Sequence, residues 1–210
     1  MNNIDLLIIG ASNPVIISTI EDINSSKSNN RYNIVGLLDN NSANKAILGH
    51  AVLGGFELIN RFSKSLKLVN TVASSCHIRA EVTSYFLDLD RTFVNIVHPS
   101  VDTRHVHLGT GNIIYEKSMI HPCVKIGSFN IISSMAGVAH DTQLGDNNFI
   151  GPNSYICGRV KVGSNCFFGV SSSVAPRVVI EDNCTIAAAS FVKHDLRTGS
   201  RAKGIPAKVF

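Results

Sequence analysis

Val138-Ala-His-Asp-Thr-Gln-Leu144-Gly-Asp-Asn-Asn-Phe-Ile150-Gly-Pro-Asn-Ser-Tyr-Ile156 carries an apolar residue at every sixth position. The spacing continues outward in both directions. Leu108, Ile114, Ile120, Ile126 and Ile132 precede this stretch, and Val162, Phe168, Val174, Ile180, Ile186 and Val192 follow it. Four residues after each apolar position stands a second column of mostly small residues, among them Asn112, Ser118, Asn130, Thr142, Asn148, Ser154, Cys166 and Cys184. Gly or Ala often follows the apolar residue directly, as at Gly109, Gly127, Ala139, Gly145, Gly151 and Gly169. Neither an amphipathic helix nor an alternating strand has a period of six, whereas a hexapeptide repeat does.

A six-residue period fits a short flat strand and a corner, with one aliphatic side chain per face pointing to an axis. Three faces close a triangular prism, so one coil takes 18 residues and stacks on the next at about 4.8 Å. The small column is expected where corners are tight, and the glycines where the backbone takes conformations that a Cβ resists. No repeat buries its apolar column alone, so coils stack and the ends need caps. The pattern resembles the left-handed parallel β-helix of hexapeptide-repeat acyltransferases; the left hand comes from that resemblance.

The chain has 210 residues, 44% of them apolar, and a formal net charge of +4. It has room for one or two domains, and no basic block or aromatic-interleaved patch points to nucleic acid. Met1-Asn2-Asn3 lacks the basic start of a leader peptide, and Ile4 to Ile9 is too short to span a membrane. Cys76, Cys123, Cys157, Cys166 and Cys184 form no CxxC pair and no even framework, which suits a reducing cytoplasm. Cys166 and Cys184, one coil apart, are expected to pack in the core.

Residues 1–95 lack the hexad period and read as an α/β, Rossmann-like domain; residues 96–210 form the β-helix domain with a C-terminal cap. Asp5 to Ile9 is a strand running into Gly10-Ala11-Ser12-Asn13, followed by a helix face of Val15, Ile16, Ile17, Ile20 and Ile23. Tyr32 to Leu38 is a second strand, Phe56 to Phe62 a helix, Leu66 to Val72 a third strand and Ile78 to Leu87 a further helix. Ile96-Val97-His98-Pro99 hands over to the prism. Such alternation argues for a parallel sheet with ligands at the strands' carboxyl ends. The turn at Gly10 is open to two readings, a phosphate contact at a helix N-terminus or a tight turn that any βα unit needs. Asp39 is open to two as well, a ribose or base contact or a turn-forming aspartate.

Ile8-Ile-Gly-Ala-Ser12, Ile34-Val-Gly-Leu-Leu-Asp39, Ile47-Leu-Gly, Val52-Leu-Gly54, Val97-His-Pro-Ser100, Ala139-His-Asp-Thr142 and Gly204-Ile-Pro-Ala-Lys208 span nearly the whole chain. On these segments the chain resembles the sugar O-acyltransferase family, which includes sialic acid O-acetyltransferases and N-acetyltransferases of nucleotide-linked 4-amino sugars. The resemblance implies that the N-terminal domain holds a nucleotide-sugar through Gly10, Ser12, Asn13, Pro14, Asp39, Asn40 and Arg79. It also implies that the prism binds acetyl-CoA past Phe149, Val170 and Ala188, in a homotrimer with sites between subunits. Asn13-Pro14-Val15-Ile16 stands where the family carries a His-Gly-Lys-like run, Asn40 replaces the second of two aspartates, and Ser74-Ser75-Cys76 replaces a glycine before Arg79.

Acyl transfer from a thioester needs a base for the acceptor's proton, and an imidazole with an orienting carboxylate suits that task near neutrality. His140 lies two residues past the inward Val138, on the outside near a corner, and the family motif falls on it. Asp141 is its expected orienter, although sequence neighbours in an extended strand point to opposite sides. Gly158, one coil on, is the candidate oxyanion donor through its N–H. His194-Asp195 repeats the dipeptide three coils later in the same register, about 14 Å away, so both pairs cannot serve one reacting atom and His194 reads as a surface residue. Lys193, Arg197, Arg201, Lys203 and Lys208 are open to two readings, contacts with coenzyme phosphates or a solvated cap.

The expected activity is acetyl-CoA-dependent N-acetylation of a UDP-, dTDP- or GDP-linked 4-amino sugar in surface-glycan synthesis, by direct transfer. O-Acetylation of sialic acid or another sugar hydroxyl is the alternative. A zinc site drawn from His98, His105, His107, His121 and His140, as in a β-helical carbonic anhydrase, and a non-catalytic sugar-nucleotide sensor are further readings; no metal is expected.

Overall fold

The computed structural model describes residues 2–41 and 43–210. Met1, which opens the stretch compared above with a leader peptide, and Ser42 lie outside the described residues. The chain divides into two compact units, Met1–Pro99 and Ser100–Phe210.

The first unit is built on β1 (Asn2–Ile9), β2 (Asn30–Leu38), β3 (Ala46–Ile47), β4 (His50–Gly54), β5 (Lys67–Asn70) and β6 (Thr92–Phe93). Their order is β3-β4-β2-β1-β5-β6, and every pairing is parallel except β3 with β4. Helix α1 (Val15–Ser25) connects β1 to β2, and α2 (Cys76–Leu87) connects β5 to β6. These steps run in opposite directions, so right-handed crossovers place the two helices on opposite faces. Leu6, Leu7, Ile8 and Ile9 are all fully buried, as a strand covered on both faces requires. Ile16, Ile17, Ile20 and Ile23 are buried in α1, but Val15 is exposed.

After Asp39 the chain forms a hairpin: Leu48 and Gly49 both take positive φ between the paired Ile47 and His50, the geometry of a two-residue hairpin loop. Its second strand then joins the sheet beside β2. Phe56–Arg61 is a single 3-10 helix rather than an α-helix, a form common in short connectors. Phe56 packs edge-on against Phe86 of α2, with centroids 5.4 Å apart.

The second unit is the prism. One stack pairs Met119, Gly137, Tyr155, Ser173 and Phe191; a second pairs His107, Lys125, Gln143, Lys161 and Val179. A third pairs Ile113, Ile131, Phe149, Phe167 and Thr185. Every pairing is parallel with an 18-residue offset. The strand Arg201–Gly204 extends the third stack, and Ala207–Val209 closes it antiparallel. From Ile114 to Val192 the apolar column is buried to 8% exposure or less, while Leu108 in the first coil is half-buried. Truncating one such side chain, as in Ile150→Ala, is expected to cost about 2–5 kcal/mol. The repeats and the three stacks fit a left-handed parallel β-helix.

From Ile114 to Ile186 positive φ falls three residues after each apolar position, on Lys117, Cys123, Phe129, Met135, Asp141 and onward to Ala189. These are not the glycines, which corrects the role expected for them. Gly127, Gly151 and Gly169 are needed instead because coils approach closely. A Cβ would stand 2.8 Å from the Gly145 carbonyl at Gly127, and 2.5 Å from the Phe168 carbonyl at Gly151. Asn and Asp, the side chains most tolerant of the left-handed region, hold many of the turning positions.

The small column forms a hydrogen-bonded ladder. Asn112 accepts from the Asn130 amide, Asn130 from the Asn148 amide and Asn148 from the Cys166 amide, at 2.7–2.9 Å. Their amide groups donate to the Gly127, Gly145 and Gly163 carbonyls. Cys166 and Cys184 continue the ladder, their thiols donating to the Glu181 and Arg197 carbonyls at 3.1 Å. Buried backbone groups at the corners are thereby satisfied without water.

Candidate active site

His140 and Asp141 occupy the corner that follows the Gly137–Val138 strand. Asp141 has φ 60°, and this left-handed turn lets neighbouring side chains meet where an extended strand would separate them. His140 Nδ1 lies 2.9 Å from Asp141 Oδ2. An ionised carboxylate can only accept, so the bond is made by the Nδ1 proton and in the neutral ring the lone pair is on Nε2. That hydrogen bond, with smaller contributions from His140 and Arg159 charge, holds the Asp141 carboxyl below the usual carboxylate range.

The next coil completes the corner. Gly158 lies under the imidazole, where an added Cβ would stand 2.9 Å from Nε2 and 3.0 Å from Cε1. Its N–H donates to no group among the described residues. The Arg159 amide donates to the His140 carbonyl at 3.0 Å, and its Nε lies 3.6 Å from Asp141 Oδ2. Thr142, fully buried, donates through Oγ1 to the Cys157 carbonyl at 2.9 Å and ties the two coils together.

His194 and Asp195 are exposed on the same edge three coils further. Asp195 is not among the positive-φ residues, and its Oδ1 accepts the Val179 amide at 2.8 Å. No hydrogen bond joins it to the His194 ring among the described residues.

The expected coenzyme residues separate. Val170 and Ala188 are exposed at the corner that follows the third stack, whereas His140 and Gly158 share the corner that follows the first. Phe149 lies on the third stack, its ring stacked on Phe167 with centroids 5.0 Å apart and planes at 8°. Among the C-terminal bases, Arg197 pairs with Glu181 at 2.8 Å, and Arg201 and Lys203 lie over the Phe210 ring. Burial pushes the Cys157 and Cys184 thiols up, away from the reactive thiolate form. Among the described residues no group of three or more His, Cys, Asp or Glu side chains is placed to hold a metal ion. No helix among the described residues is long and apolar enough to cross a membrane.

Within the first unit, a cleft of about 460 Å³ opens at the carboxyl ends of β1, β2 and β5. Gly10, Ser12, Asp39 and Asn40 line it, joined by Asn41, Phe56, Val72, Ala73, Ser74, Ile78 and Val82. Gly10 has φ +93°, and a Cβ there would meet Thr71 Oγ1 at 2.9 Å, so only glycine fits. Asp39 Oδ2 accepts the Ala11 amide and Oδ1 the Asn41 amide, both at 2.8 Å. Asn40 Oδ1 accepts the Phe56 amide at 2.8 Å, which ties the replacement for the second aspartate to the 3-10 helix. Asn13 and Pro14 do not line the cleft; they start α1, with Asn13 Oδ1 accepting the Val15 amide at 3.1 Å. Arg79 is 1% exposed and sits behind the wall, donating to the Val72 carbonyl at 3.3 Å. Burial holds its guanidinium below its ordinary value.

Sequence reasoning passed over Phe56, Val72, Ala73 and Ile78, and met Ser74 only as part of the stretch that replaces a glycine before Arg79. Their signal was the end of the third strand, since a parallel sheet gathers ligand-facing loops at its carboxyl edge. It also passed over Arg159, which follows Asp141 by one coil.

Two repeat models match the prism: bacterial transferase hexapeptide (six repeats) at residues 141–172, and hexapeptide repeat of succinyl-transferase at 159–193. PerB from Caulobacter crescentus, solved with CoA and GDP-perosamine, is 28% identical with a TM-score of 0.84 over 98% of this chain and 97% of its own. The acetyltransferase domain of PglB from Neisseria gonorrhoeae, solved with acetyl coenzyme A, has a TM-score of 0.89 at 20% identity over all of both chains. WeeI from Acinetobacter baumannii has a TM-score of 0.84 at 15% identity, again over all of both chains. A search of curated protein sequences gives no match. The repeat models and the PerB likeness support an acyltransferase.

Proposed function

We propose that the protein is an acetyl-CoA-dependent N-acetyltransferase of a nucleotide-linked 4-amino sugar, with His140 as general base. The observation that carries this reading is the His140 ring, bonded through Nδ1 to Asp141, with Nε2 over the bare backbone of Gly158. The full-length likeness to PerB, whose solved complex holds CoA and GDP-perosamine, supports the substrate classes.

In this reading the free amine of the sugar attacks the thioester carbonyl, and the carbonyl oxygen becomes an oxyanion within reach of the Gly158 N–H. Nε2 takes one proton from the attacking nitrogen, and Asp141 steadies the imidazolium. The oxyanion collapses, the carbon–sulfur bond breaks, and the CoA thiolate takes the proton from Nε2. The products are the amide and CoA thiol, with His140 neutral again. The N-terminal domain, residues 1–95, holds the nucleotide in the cleft around Gly10, Ser12, Asp39 and Asn40, seated at strand ends beside a helix N-terminus.

Phe149, Val170 and Ala188 are proposed coenzyme contacts. Val170 and Ala188 stand on a different edge of the prism from His140, and Phe149 on the face that leads to that edge, which favours a homotrimer where one chain supplies the base and its neighbour the coenzyme wall. The product belongs to surface-glycan synthesis.

The test is thiol release from acetyl-CoA with a panel of UDP-, dTDP- and GDP-linked 4-amino sugars. Turnover with one sugar, lost in His140→Ala and retained in His194→Ala, is expected. Full activity in His140→Ala sinks the mechanism, and turnover only with sialic acid moves the assignment to O-acetylation.

A further inference from the structure

Beyond the pair itself, the corner holds one charged group that faces the Asp141 carboxylate from another coil. Arg159 stands 18 residues after Asp141, so the coil period brings it alongside; both take positive φ at successive corners. Its backbone is pinned to the reacting residue, because the Arg159 amide donates to the His140 carbonyl at 3.0 Å. Its Nε lies 3.6 Å from Asp141 Oδ2, the same oxygen that meets His140 Nδ1 at 2.9 Å. Asp141 therefore carries two cationic or hydrogen-donating neighbours on one oxygen, from two coils. In the same register among the described residues stand His105 and Cys123, two coils and one coil before Asp141, and Arg177 and Asp195, two and three coils after it.

We propose that Arg159 is a positioning residue for the reaction: acting through Asp141, it holds the carboxylate that orients the His140 ring. This rests on the reading of His140 as the base. A carboxylate on an exposed corner rotates freely about its own side-chain torsions, and a single bond to a ring that also rotates fixes neither partner. A second contact from an element with a pinned backbone restricts both. The effect is bounded by exposure. The Arg159 and Asp141 side chains are 55% and 46% exposed, and water screens such a pair. The size expected from exposed ion pairs is about three- to fivefold in rate.

The experiment compares Arg159→Met and Arg159→Lys in the wild-type and Asp141→Asn backgrounds, with both substrates varied. Arg159→Met is expected to lower kcat about three- to fivefold while leaving KM for acetyl-CoA and for the sugar unchanged, and Arg159→Lys to restore most of the loss. In the Asp141→Asn background, Arg159→Met is expected to cost nothing further, since the group it acts through is gone. A raised KM for acetyl-CoA at constant kcat overturns the proposal and makes Arg159 a coenzyme contact. Independent, multiplying losses in the double variant overturn it too. A readout without turnover separates this proposal from the function itself. The ¹⁵N resonances of the neutral His140 ring, identified by their loss in His140→Ala, report which nitrogen carries the proton. A mixture of tautomers in Arg159→Met, against Nδ1–H alone in the wild type, supports the positioning role. An unchanged tautomer refutes it, whatever the substrate proves to be.

Discussion

The corners at 139–142 and 193–196 carry the same His-Asp dipeptide in the same register of the prism, yet they are built differently. At the first, Asp141 turns through φ 60° and its carboxylate meets the ring of His140 at 2.9 Å. At the second, the coil is the last one, the left-handed turn is absent, and Asp195 gives its carboxylate to the Val179 amide. The first corner also has a following coil that supplies Gly158 as a floor and Arg159 as a second contact. A dipeptide in a repeat thus acquires chemistry from its stacked neighbours, and the end of a solenoid lacks them.

The widest separation between the two corners is expected from removing the rings. His140→Ala should lower kcat by about 10²–10⁴-fold, the usual worth of a positioned base, measured as thiol release under saturating acetyl-CoA. Gly158→Ala tests whether the floor matters. Its Cβ would enter within 2.9 Å of Nε2, the ring must move, and displacement near 1 Å costs about 10²-fold. A thermal melt should show the variant folded, and activity within twofold of wild type would remove Gly158 from the site.

Asp141→Asn keeps the shape and removes the charge. A loss of about tenfold in kcat is expected, less than for a fully buried triad aspartate because Asp141 is partly solvated. A loss as large as that in His140→Ala would instead mean that solvent exposure does not soften the role of Asp141 in fixing the ring's tautomer and orientation. The smallest effect should come from the other end of the comparison, where His194→Ala is expected to stay within about twofold of wild type, as surface substitutions usually do. A larger loss there would mean the two corners are not distinguished by their neighbours.

Much of this site was legible from spacing alone. The six-residue period places His140 on the outside two residues past Val138, and 18 residues separate it from Gly158 and Asp141 from Arg159. The conformation of Asp141 was not legible, because left-handed φ is set by corner closure and falls on Asp, Asn, Ser, Arg and Ala alike. The glycines illustrate the same limit. Their positions follow the period, but the reason for them is the approach of a carbonyl from the next coil, which no local propensity contains. In the first unit, buried strands and the α1 face were readable from apolar runs. The hairpin at Leu48-Gly49 was not, since its strands are short and gain stability by pairing with β2. Arg79 shows the converse: a charged residue reads as a ligand contact, and only packing reveals that it is spent on the Val72 carbonyl.

By itself, then, the sequence determined the prism, the α/β unit before it and the outward placement of His140, because periodic burial is a property of residue order; the candidacy of His140 as a base came from the resemblance carried by Ala139-His-Asp-Thr142. Tertiary structure alone decided that ring and carboxylate meet at Asp141 and not at Asp195. Whether adjacent side chains converge depends on a backbone turn held by the coil above, and that coil is present at one corner and missing at the other.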